Sequence, residues 1–292
     1  MKRLFASFLL ICLLLTACAV PEEATPSDCL VIHYIDVDQA DCMLLIAGDT
    51  TIMIDGGNTG TSQDVLAYLR RFGVKQIDLM VNTHPHGDHL GGIPTVLNNI
   101  PTDEIWCADS TYDTYLYKNF TQLVQQKGFT ISHPEPGTKF EENNVSVTVL
   151  GPLNAADTYS DLNDTSLVLM VEFEDTRFLF TGDMETLAEG DMLDFWGEEF
   201  NWKCDVLKVG HHGSYSSTGY RLLREVAPTW AVIPCGYQND YGHPHESTLS
   251  RFRDAEVSIF RLDHSGTVIA TTDGEKLAFA WESGGYTPYI PQ

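Results

Sequence analysis

Seven of the ten histidines in this 292-residue chain fall in three short clusters. The clusters are His84, His86 and His89, then His211 and His212, then His243 and His245. Each follows a run of residues typical of a buried strand, and the reactive groups of sheet proteins gather where loops leave strand ends. Buried imidazoles are costly unless they are paired or bind a metal, so packing does not explain the clusters. Because Zn²⁺, Mn²⁺ and Fe²⁺ take imidazole and carboxylate ligands, the clusters predict a metal site.

The remaining pattern predicts a layered α/β protein. Short apolar runs predict strands at 30–37, 42–47, 51–54, 77–82, 145–150, 166–173, 177–180, 205–209, 230–234 and 267–271. Helical spacing of apolar residues predicts helices at 62–72, 111–127, 184–196, 218–226 and 246–254. Hairpin-like strands followed by strand–helix alternation occur in both halves of the chain, which predicts sheets that lie between helices.

The composition excludes several classes of protein. Hydrophobic residues make up 43% of the chain, which excludes a disordered protein. Beyond the N-terminus no apolar run is long enough to cross a bilayer, so a multi-span membrane protein is excluded. The 17 Lys+Arg stand against 41 Asp+Glu, a formal charge of −24, which argues against a protein that binds nucleic acid through a basic face. A nuclease whose metal ions meet the phosphate stays compatible with that charge.

The N-terminus predicts export and a lipid anchor. Lys2 and Arg3 precede an apolar run over residues 4–15, which is typical of a signal peptide. Residues 15–18 (LTAC) resemble the bacterial lipobox, in which the cysteine is lipidated and becomes the first residue. We therefore expect a signal peptide at 1–17, then lipidated Cys18 with a tether at 18–29. The protein would be an extracytoplasmic lipoprotein of the bacterial cell membrane. The alternative is an ordinary signal peptide with an incidental cysteine.

No composition break interrupts the chain after the tether. Residues 30–285 are therefore predicted to form one domain, followed by a loose tail at 286–292. The five cysteines that follow Cys18 are widely spaced and form no CxxC pair. They predict buried free thiols rather than a disulfide framework or a cysteine zinc site.

The first histidine cluster carries a family resemblance. Residues 83–92 (THPHGDHLGG) look like the HxHxDH motif of the metallo-β-lactamase superfamily. Three segments resemble other motifs of that superfamily in the expected order, namely 52–57 (IMIDGG), 179–183 (LFTGD) and 209–214 (VGHHGS). Two more, 35–41 (IDVDQAD) and 241–245 (YGHPH), narrow the resemblance to the C-terminal hydrolase domain of ComEC competence proteins and its stand-alone relatives. The resemblance covers about residues 30–272 and implies a single-domain, four-layer αβ/βα sandwich.

The resemblance also implies two divalent metal ions, Zn²⁺ or Mn²⁺. The ligands that it assigns are His84, His86 and Asp183 for the first ion, and Asp88, His89, Asp183 and His211 for the second. Asp183 would bridge the two ions. His212 is the competing choice for the last ligand.

Two stretches depart from the pattern of these relatives. Asp38 and Ala40 replace two glycines of the ComEC-type motif, so a different turn is expected there. Most superfamily members have a third histidine for the first ion about twenty residues before the bridging aspartate, whereas this chain has residues 162–166 (LNDTS). The ComEC-type group has an Asn/Ser pattern there. Three alternatives stay open: the first ion is held weakly, Asn163 or Asp164 serves as a ligand, or water completes the coordination.

Two residues are assigned catalytic roles. Asp88 would orient the attacking water in addition to binding metal. His243, as an imidazolium, would stabilise oxyanion charge or protonate a leaving alkoxide. The alternative for His243 is a hydrogen bond within its own loop.

Supporting residues are predicted around these groups. Asp55, Asp36 and Asp41 are assigned to turns or to contacts that hold the ligands. Ser214 is predicted to donate to substrate oxygens or to cap the next helix.

Several remaining side chains carry weaker hypotheses. The isolated residues His33, His133 and His264 are predicted to be structural. The aromatic stretch over residues 112–120 contains Tyr112, Tyr115, Tyr117 and Phe120. Its side chains are predicted either to pack in the core or to stack a base or sugar.

The combined prediction is a dinuclear metal-dependent hydrolase that uses a metal-bound hydroxide. A phosphodiesterase or nuclease of ComEC type is the leading hypothesis, with single-stranded DNA as the candidate substrate and no protein partner inferred. The alternatives are hydrolysis of small phosphodiesters such as phosphocholine head groups, an esterase or lactonase, and a non-catalytic surface binding lipoprotein.

Overall fold

The computed structural model describes residues 28–153, 159–283 and 288. The predicted signal peptide, Cys18 and nearly all of the tether lie outside the described residues, as does the predicted tail except for Pro288. No helix in the described ranges is long and apolar enough to span a bilayer. The predicted boundaries and the lipid anchor therefore stay predictions.

Fifteen strands lie in the described ranges and pair into two sheets. In chain order they are β1 (Leu30–Tyr34), β2 (Met43–Ala47), β3 (Thr50–Ile54), β4 (Ile77–Asn82), β5 (Thr102–Cys107), β6 (Ile131–Ser132), β7 (Lys139–Glu142), β8 (Val145–Gly151), β9 (Val168–Phe173), β10 (Thr176–Phe180), β11 (Val206–Lys208), β12 (Trp230–Ile233), β13 (Ser258–Arg261), β14 (Val268–Thr272) and β15 (Leu277–Trp281). The first sheet has the order β15–β14–β1–β2–β3–β4–β5–β6, and the second has the order β13–β12–β11–β10–β9–β8–β7.

Each sheet joins an antiparallel part to a parallel part. In the first sheet the pairs from β15 to β3 are antiparallel, and the pairs from β3 to β6 are parallel. In the second sheet the pairs from β7 to β10 are antiparallel, and the pairs from β10 to β13 are parallel. The parallel strands require crossover connections, and helices supply most of them.

Eight α-helices lie in the described ranges. They are α1 (Ser62–Arg71), α2 (Gly87–Leu90), α3 (Ile93–Asn99), α4 (Tyr115–Lys127), α5 (Thr186–Trp196), α6 (Tyr220–Val226), α7 (Glu246–Asp254) and α8 (Leu262–Ser265). Three 3₁₀ turns lie at Thr59–Thr61, Leu162–Thr165 and Gly210–Gly213.

Strand periodicity divides the apolar side chains among three cores. In β2, Met43 and Leu45 face the second sheet, whereas Leu44 faces the helices outside the first sheet. Helices α1, α3 and α4 cover that outer face, with Val65 and Leu69 of α1 fully buried. Helices α5, α6 and α7 cover the outer face of the second sheet in the same way. The result is the predicted four-layer αβ/βα sandwich, which is confirmed.

The predicted elements agree with the structure in position and type. All ten predicted strands and all five predicted helices are present, with ends that differ by a few residues. The prediction omitted β5, β6, β7, β13 and β15, and it omitted α2, α3 and α8. The cysteines at positions 29, 42, 107, 204 and 235 are free, and all but the first are buried, as predicted.

Candidate metal centre

The site lies where parallel strands of both sheets end at the same edge of the sandwich. The loop after β4 carries the first histidine cluster, and the loop after β10 carries Asp183. The loops after β11 and β12 carry the second and third clusters. Because the carboxyl ends of parallel strands share one edge, residues far apart in the chain become neighbours there.

Four side chains from three of these loops form the centre of the site. The ligand atoms of Asp88, His89, Asp183 and His212 lie within 4.8 Å of one another. Oδ2 of Asp183 lies 3.2 Å from Nε2 of His89 and 3.5 Å from Nε2 of His212, and Oδ2 of Asp88 lies 3.3 Å from the same nitrogen of His212. Burial alone would raise the pKa of Asp183, but the facing imidazoles outweigh it and hold that pKa well below its ordinary value.

Asp55, which the sequence assigned to a turn or to a contact that holds a ligand, contacts the ring of His89. Asp55 is fully buried at the end of β3, and its Oδ2 lies 2.8 Å from Nδ1 of His89. Its oxygens also accept from the backbone N–H and the hydroxyl of Thr83, at 2.8 and 2.7 Å. With Nδ1 occupied in this way, Nε2 of His89 faces Asp183. This contact fixes the ring of a candidate ligand from the far side, as carboxylates commonly do at metal sites.

Three glycines allow the loop after β3 to pack backbone against backbone on the histidine loop. A Cβ on Gly92 would overlap the carbonyl oxygen of Gly56, and a Cβ on Gly91 would overlap the backbone nitrogen of Thr59. The N–H of Gly56 donates to the carbonyl of His89 at 2.7 Å across this contact. The motif glycines are therefore required by this close approach.

Lys208 is a buried cation beneath the site that the sequence analysis missed. It is the last residue of β11, is 0% exposed, and forms an ion pair with equally buried Asp41. Its Nζ also donates to the carbonyl of Gly182 at 2.7 Å and lies 3.7 Å from Oδ1 of Asp183. Burial lowers the pKa of Lys208, but the carboxylates of Asp41 and Asp183 outweigh it and raise that pKa above its ordinary value. The lysine stays charged and offsets part of the negative charge of the carboxylates.

The structure separates His211 from His212. His212 is buried, with Nδ1 3.0 Å from the carbonyl of Pro234 and Nε2 aimed at the centre. His211 lies at the rim, 24% exposed, with Nδ1 3.1 Å from Glu185 and Nε2 4.0 Å from Asp183. Both residues have positive φ, at 47° and 53°, within the 3₁₀ turn. The geometry thus favours His212, the alternative ligand, over His211, the first choice from sequence.

His84 and His86 face each other beside the four-residue cluster. Nε2 of His84 lies 3.0 Å from Nδ1 of His86, and the ring centroid of His84 lies 4.1 Å from that of His89. On its other side, Nδ1 of His84 lies 3.4 Å from the hydroxyl of Ser166, which also accepts from the N–H of Asp183 at 3.0 Å. Burial holds the pKa of His84 well below its ordinary value, so the ring is neutral and able to bind a cation.

The stretch that lacks the third histidine offers two different side chains. Oδ1 of Asp164 accepts the backbone N–H of Glu185 at 3.0 Å, so this carboxylate is engaged at the start of α5. Asn163 is 5% exposed, and its amide nitrogen lies 3.4 Å from Oε1 of Glu185 and from Nδ1 of His211. Its Oδ1 is buried and has no hydrogen-bond partner among the described residues. Asn163 is therefore the better candidate for an additional oxygen ligand.

His243 lies at the edge of the centre on the second sheet's side. Its ring centroid lies 5.3 Å from that of His211 and 6.3 Å from that of His212. Burial first, and then the neighbouring imidazoles, lower the pKa of His243 to about 4. The side chain thus acts as a neutral imidazole, whereas the sequence hypothesis assigned it an imidazolium.

Other predicted residues lie outside the centre. Ser214 is buried with its hydroxyl 2.9 Å from that of Ser216, so it organises its loop and does not cap α6. Asp36 is exposed and accepts from the N–H of Asp38, as a turn residue does. His33 is buried against the hydroxyl of Tyr68 at 2.9 Å, in agreement with a structural role.

The aromatic stretch divides between core and surface. Phe120 is buried in the helix-side core of the first sheet, and Tyr117 packs against the same core. Tyr115 is 82% exposed, and the ring of Tyr112 lies 5.3 Å from that of His86 at the rim of the site.

The polar atoms of the centre fit a divalent cation. Nε2 of His89 and Oδ1 of Asp183 are buried and make no hydrogen bond among the described residues; their contacts there are ion pairs, with Oδ2 of Asp183 at 3.2 Å and with Nζ of Lys208 at 3.7 Å. Buried polar atoms that make no hydrogen bond are rare in proteins, and a cation with nitrogen and oxygen ligands would satisfy both. The donor set of imidazoles and carboxylates suits Zn²⁺ and Mn²⁺.

Comparison with known families agrees with this geometry. The sequence matches the metallo-beta-lactamase superfamily over residues 35–237. The chain belongs to that superfamily. The matched range contains the first two histidine clusters and Asp183, whereas His243 follows it.

Two curated competence proteins are similar to this superfamily member over most of its length. ComE operon protein 3 of Bacillus subtilis is 28% identical over 255 residues, which cover 81% of this chain and 32% of that protein. Competence protein ComA of Neisseria gonorrhoeae is 28% identical over 247 residues, which cover 84% of this chain and 33% of that protein. The chain thus spans about a third of the length of these relatives.

A solved structure shows the same fold. The metallo-beta-lactamase fold protein YhfI from Bacillus subtilis superposes with a TM-score of 0.54 at 13% identity, covering 80% of this chain and 96% of that one. At this level of identity the likeness concerns the fold of the superfamily alone.

Proposed function

We propose that this superfamily member is a dinuclear metal-dependent phosphodiesterase of ComEC type, with single-stranded DNA as its candidate substrate. One observation carries the proposal: the ligand atoms of Asp88, His89, Asp183 and His212 converge within 4.8 Å. Two polar atoms of these side chains, Nε2 of His89 and Oδ1 of Asp183, are buried and make no hydrogen bond within the described part of the chain. The similarity to ComE operon protein 3 and to competence protein ComA supports the ComEC type of this proposal.

The proposed ligands divide into two sets around Asp183. His84, His86 and Asp183 would hold one cation, supported by the 3.0 Å approach of the two histidines and by the free oxygen of Asn163. The four-residue cluster would hold the other. When bound, divalent cations at such a site supply activation of water and neutralisation of phosphoryl charge.

The chain's own residues orient the reactants. Asp88 is 35% exposed, so its carboxylate is open to solvent and can accept a hydrogen bond from an incoming water. His243, as a neutral imidazole beside the centre, would donate an N–H to a phosphoryl or leaving oxygen. Lys208 holds the peptide that precedes Asp183 and keeps that carboxylate in place.

The proposed location follows from the N-terminal sequence. A lipidated Cys18 and the tether over residues 18–29 would hold the domain at the bacterial membrane, on the extracytoplasmic side. The similarity to competence protein ComA is consistent with a membrane-associated role.

The test follows two substrates in parallel with the full-length protein loaded with Mn²⁺ or Zn²⁺. End-labelled single-stranded DNA and a small aryl phosphodiester are incubated with wild type, Asp183→Asn and the exposed matched control Asp194→Asn. We expect cleavage of both substrates by wild type and by the control, and none with Asp183→Asn or EDTA. Cleavage of neither substrate by metal-loaded wild type would refute the phosphodiesterase proposal.

A second candidate function is hydrolysis of small phosphodiesters such as lipid head groups. The formal charge of −24 favours it, because a long polyanion is repelled by an acidic surface more strongly than a small diester is. In the experiment above, cleavage of the aryl diester without cleavage of DNA would select this candidate.

A further inference from the structure

Gln39 connects the two sheets at the rim of the site. It lies in the loop after β1 of the first sheet, and its Oε1 accepts the backbone N–H of Gly236 in the loop after β12 of the second sheet, at 3.0 Å. The two loops approach closely, since a Cβ on Gly236 would lie 2.8 Å from the nitrogen of Gln39. The side-chain amide is therefore anchored at its oxygen end.

The other end of the amide reaches His243. Nε2 of Gln39 lies 3.4 Å from Nδ1 of His243. A backbone N–H can only donate, so the oxygen of Gln39 must face Gly236, and the NH₂ group must face the imidazole. An NH₂ group donates, so Nδ1 of His243 must accept.

An accepting Nδ1 determines where a neutral imidazole carries its proton. The backbone of His243 is fixed as well, because Asn239 accepts its N–H at 3.0 Å and donates to its carbonyl at 2.6 Å. We infer that Gln39 is a positioning residue that holds His243 as the tautomer with the proton on Nε2. The inference rests on the proposed function, in which that N–H is the donor to the substrate.

The expected consequence is that the Nε2–H donor of His243 is already in place before the substrate binds. With Nδ1 occupied by Gln39, Nε2–H is the hydrogen-bond donor that the ring can offer to a phosphoryl oxygen. With Nδ1 protonated instead, Nε2 would present a lone pair, which repels the oxygens of a phosphodiester. Gln39 thus acts on the reaction through His243 without touching the reacting atoms.

Gln39→Glu is the decisive variant. It keeps the hydrogen bond from Gly236, and it replaces the donor that faces Nδ1 of His243 with an acceptor. A carboxylate still accepts the N–H of Gly236, but its second oxygen also accepts, which requires the proton on Nδ1 of His243. Gln238→Glu adds the same charge at an exposed position of the loop that carries His243 and is the matched control. His243→Asn identifies the resonances of His243.

The experiment reads the tautomer by ¹⁵N NMR of histidine-labelled full-length protein, metal-free and loaded with Zn²⁺, at pH 8. We expect the pyrrole-type signal on Nε2 in wild type and Gln238→Glu, and on Nδ1 in Gln39→Glu. We expect kcat for the aryl phosphodiester to fall on the order of 100-fold in Gln39→Glu with little change in KM, as for one lost donor. A proton on Nδ1 in wild type, or an unchanged tautomer in Gln39→Glu, overturns the inference.

The two proposals fail in distinguishable ways. If metal-loaded wild type cleaves no phosphodiester, the proposed function fails, and the NMR measurement still decides the tautomer. If wild type cleaves the diester and Gln39→Glu moves the proton without lowering kcat, the positioning role of Gln39 fails while the phosphodiesterase proposal stands.

Discussion

At the scale of single residues, the site depends on charges that are buried and matched. Asp41 and Lys208 are both 0% exposed and form an ion pair beneath the candidate ligands. Lys208 also touches the peptide before Asp183, so the pair connects the interior to the centre. A buried ion pair of this kind stabilises the fold little more than a pair of apolar side chains would. The loss of one partner is costly, however, because it leaves the other charge buried without compensation.

Replacement of Lys208 by Met is therefore expected to lower the free energy of unfolding by about 3–5 kcal/mol, because Asp41 loses its counter-charge in the interior. Urea denaturation of the metal-free protein measures this change. The exposed Lys203→Met is the matched control and should change stability by less than about 0.5 kcal/mol. Adding Asp41→Leu to Lys208→Met should recover part of the loss. A double variant less stable than Lys208→Met would contradict the role of the pair.

Asn163 and Asp164 allow a second prediction at this scale. Asn163→Ala removes the free buried oxygen, and we expect Zn²⁺ affinity to fall about tenfold or more, within the range seen when metal-site contacts are lost. Asp164→Asn weakens the acceptor for the N–H of Glu185, and it should lower stability by about 1 kcal/mol while leaving Zn²⁺ affinity unchanged. Titration calorimetry and metal analysis distinguish the two. Equal metal affinity in wild type and Asn163→Ala would count against Asn163 as a ligand.

Sequence motifs could predict the candidate metal ligands, because histidines and carboxylates are rarely found so close together in a chain for packing alone. Three histidines and an aspartate within six residues indicate metal binding from their spacing alone. Lys208 gave no such signal, because a lysine at the end of an apolar run resembles an ordinary surface residue and its partner Asp41 lies far away in the chain. The choice between His211 and His212 depends on which of two adjacent rings is buried toward the centre, which the sequence does not reveal.

At the scale of elements, the helices outside the second sheet are joined through a buried carboxyl group. Glu189 of α5 is 4% exposed and accepts the N–H groups of Thr218 and Gly219 at the start of α6. Gly219 is the N-cap residue of α6, and its N–H is one of the donors that the helix itself leaves without a partner. Burial raises the pKa of Glu189 to about 7, against an ordinary value of 4.5.

The raised pKa predicts a pH dependence of stability. The folded protein holds a proton on Glu189 more tightly than the unfolded chain does, so stability falls as pH rises from 4.5 to about 7. The contribution of this group is of order 3 kcal/mol, lost across that range. Glu189→Gln should reduce the decrease in Tm between pH 5 and pH 8 relative to wild type, by thermal melts at matched ionic strength. The exposed Glu199→Gln is the control, and a parallel profile for wild type and Glu189→Gln would refute the assignment.

The sequence did not predict the shortest strands and helices. Strands β6 and β7 have two and four residues, and most residues of both are half-buried or exposed. Periodicity needs more residues than that to show a face. Helix α2 is only four residues long and consists of the motif itself, so its sequence indicated a metal loop rather than a helix.

At the scale of the whole molecule, the candidate ligands come from both sheets. His89 follows β4 of the first sheet, whereas Asp183 and His212 follow β10 and β11 of the second. A cation between them would join the two halves, and the unfolded chain has no such preformed site. Metal binding should therefore raise the free energy of unfolding of the whole domain.

Saturating Zn²⁺ is expected to raise the free energy of unfolding by about 2.7 kcal/mol at a free concentration 100 times Kd. Chelation with EDTA should reverse the increase. In Asp183→Asn the increase should be absent, while Asp194→Asn should match wild type. Calorimetric melts at several Zn²⁺ concentrations measure the effect. A Tm that stays constant with Zn²⁺ in wild type would show that the centre binds no zinc in the folded state.

The net charge of −24 predicts how salt affects the two substrates. Repulsion between the acidic protein and DNA is screened as the Debye length falls to about 10 Å at 0.1 M salt. We expect kcat/KM for single-stranded DNA to rise between 20 and 200 mM NaCl, and that for the small aryl diester to change little, as measured by initial rates. A fall for DNA would indicate a local basic groove that outweighs the total charge.

The position of β1 has a consequence for biosynthesis. This strand carries the loop with Gln39 and Asp41, and it is held between β2 on one side and β14 on the other, with Leu30 opposite Thr272. The β2 neighbour leaves the ribosome soon after β1, but β14 emerges only after nearly all of the described residues. Until then β1 has an open edge, and the site it supports stays incomplete. A nascent chain would thus complete the pairing of β1, and with it the support of the site, only after β14 has been translated.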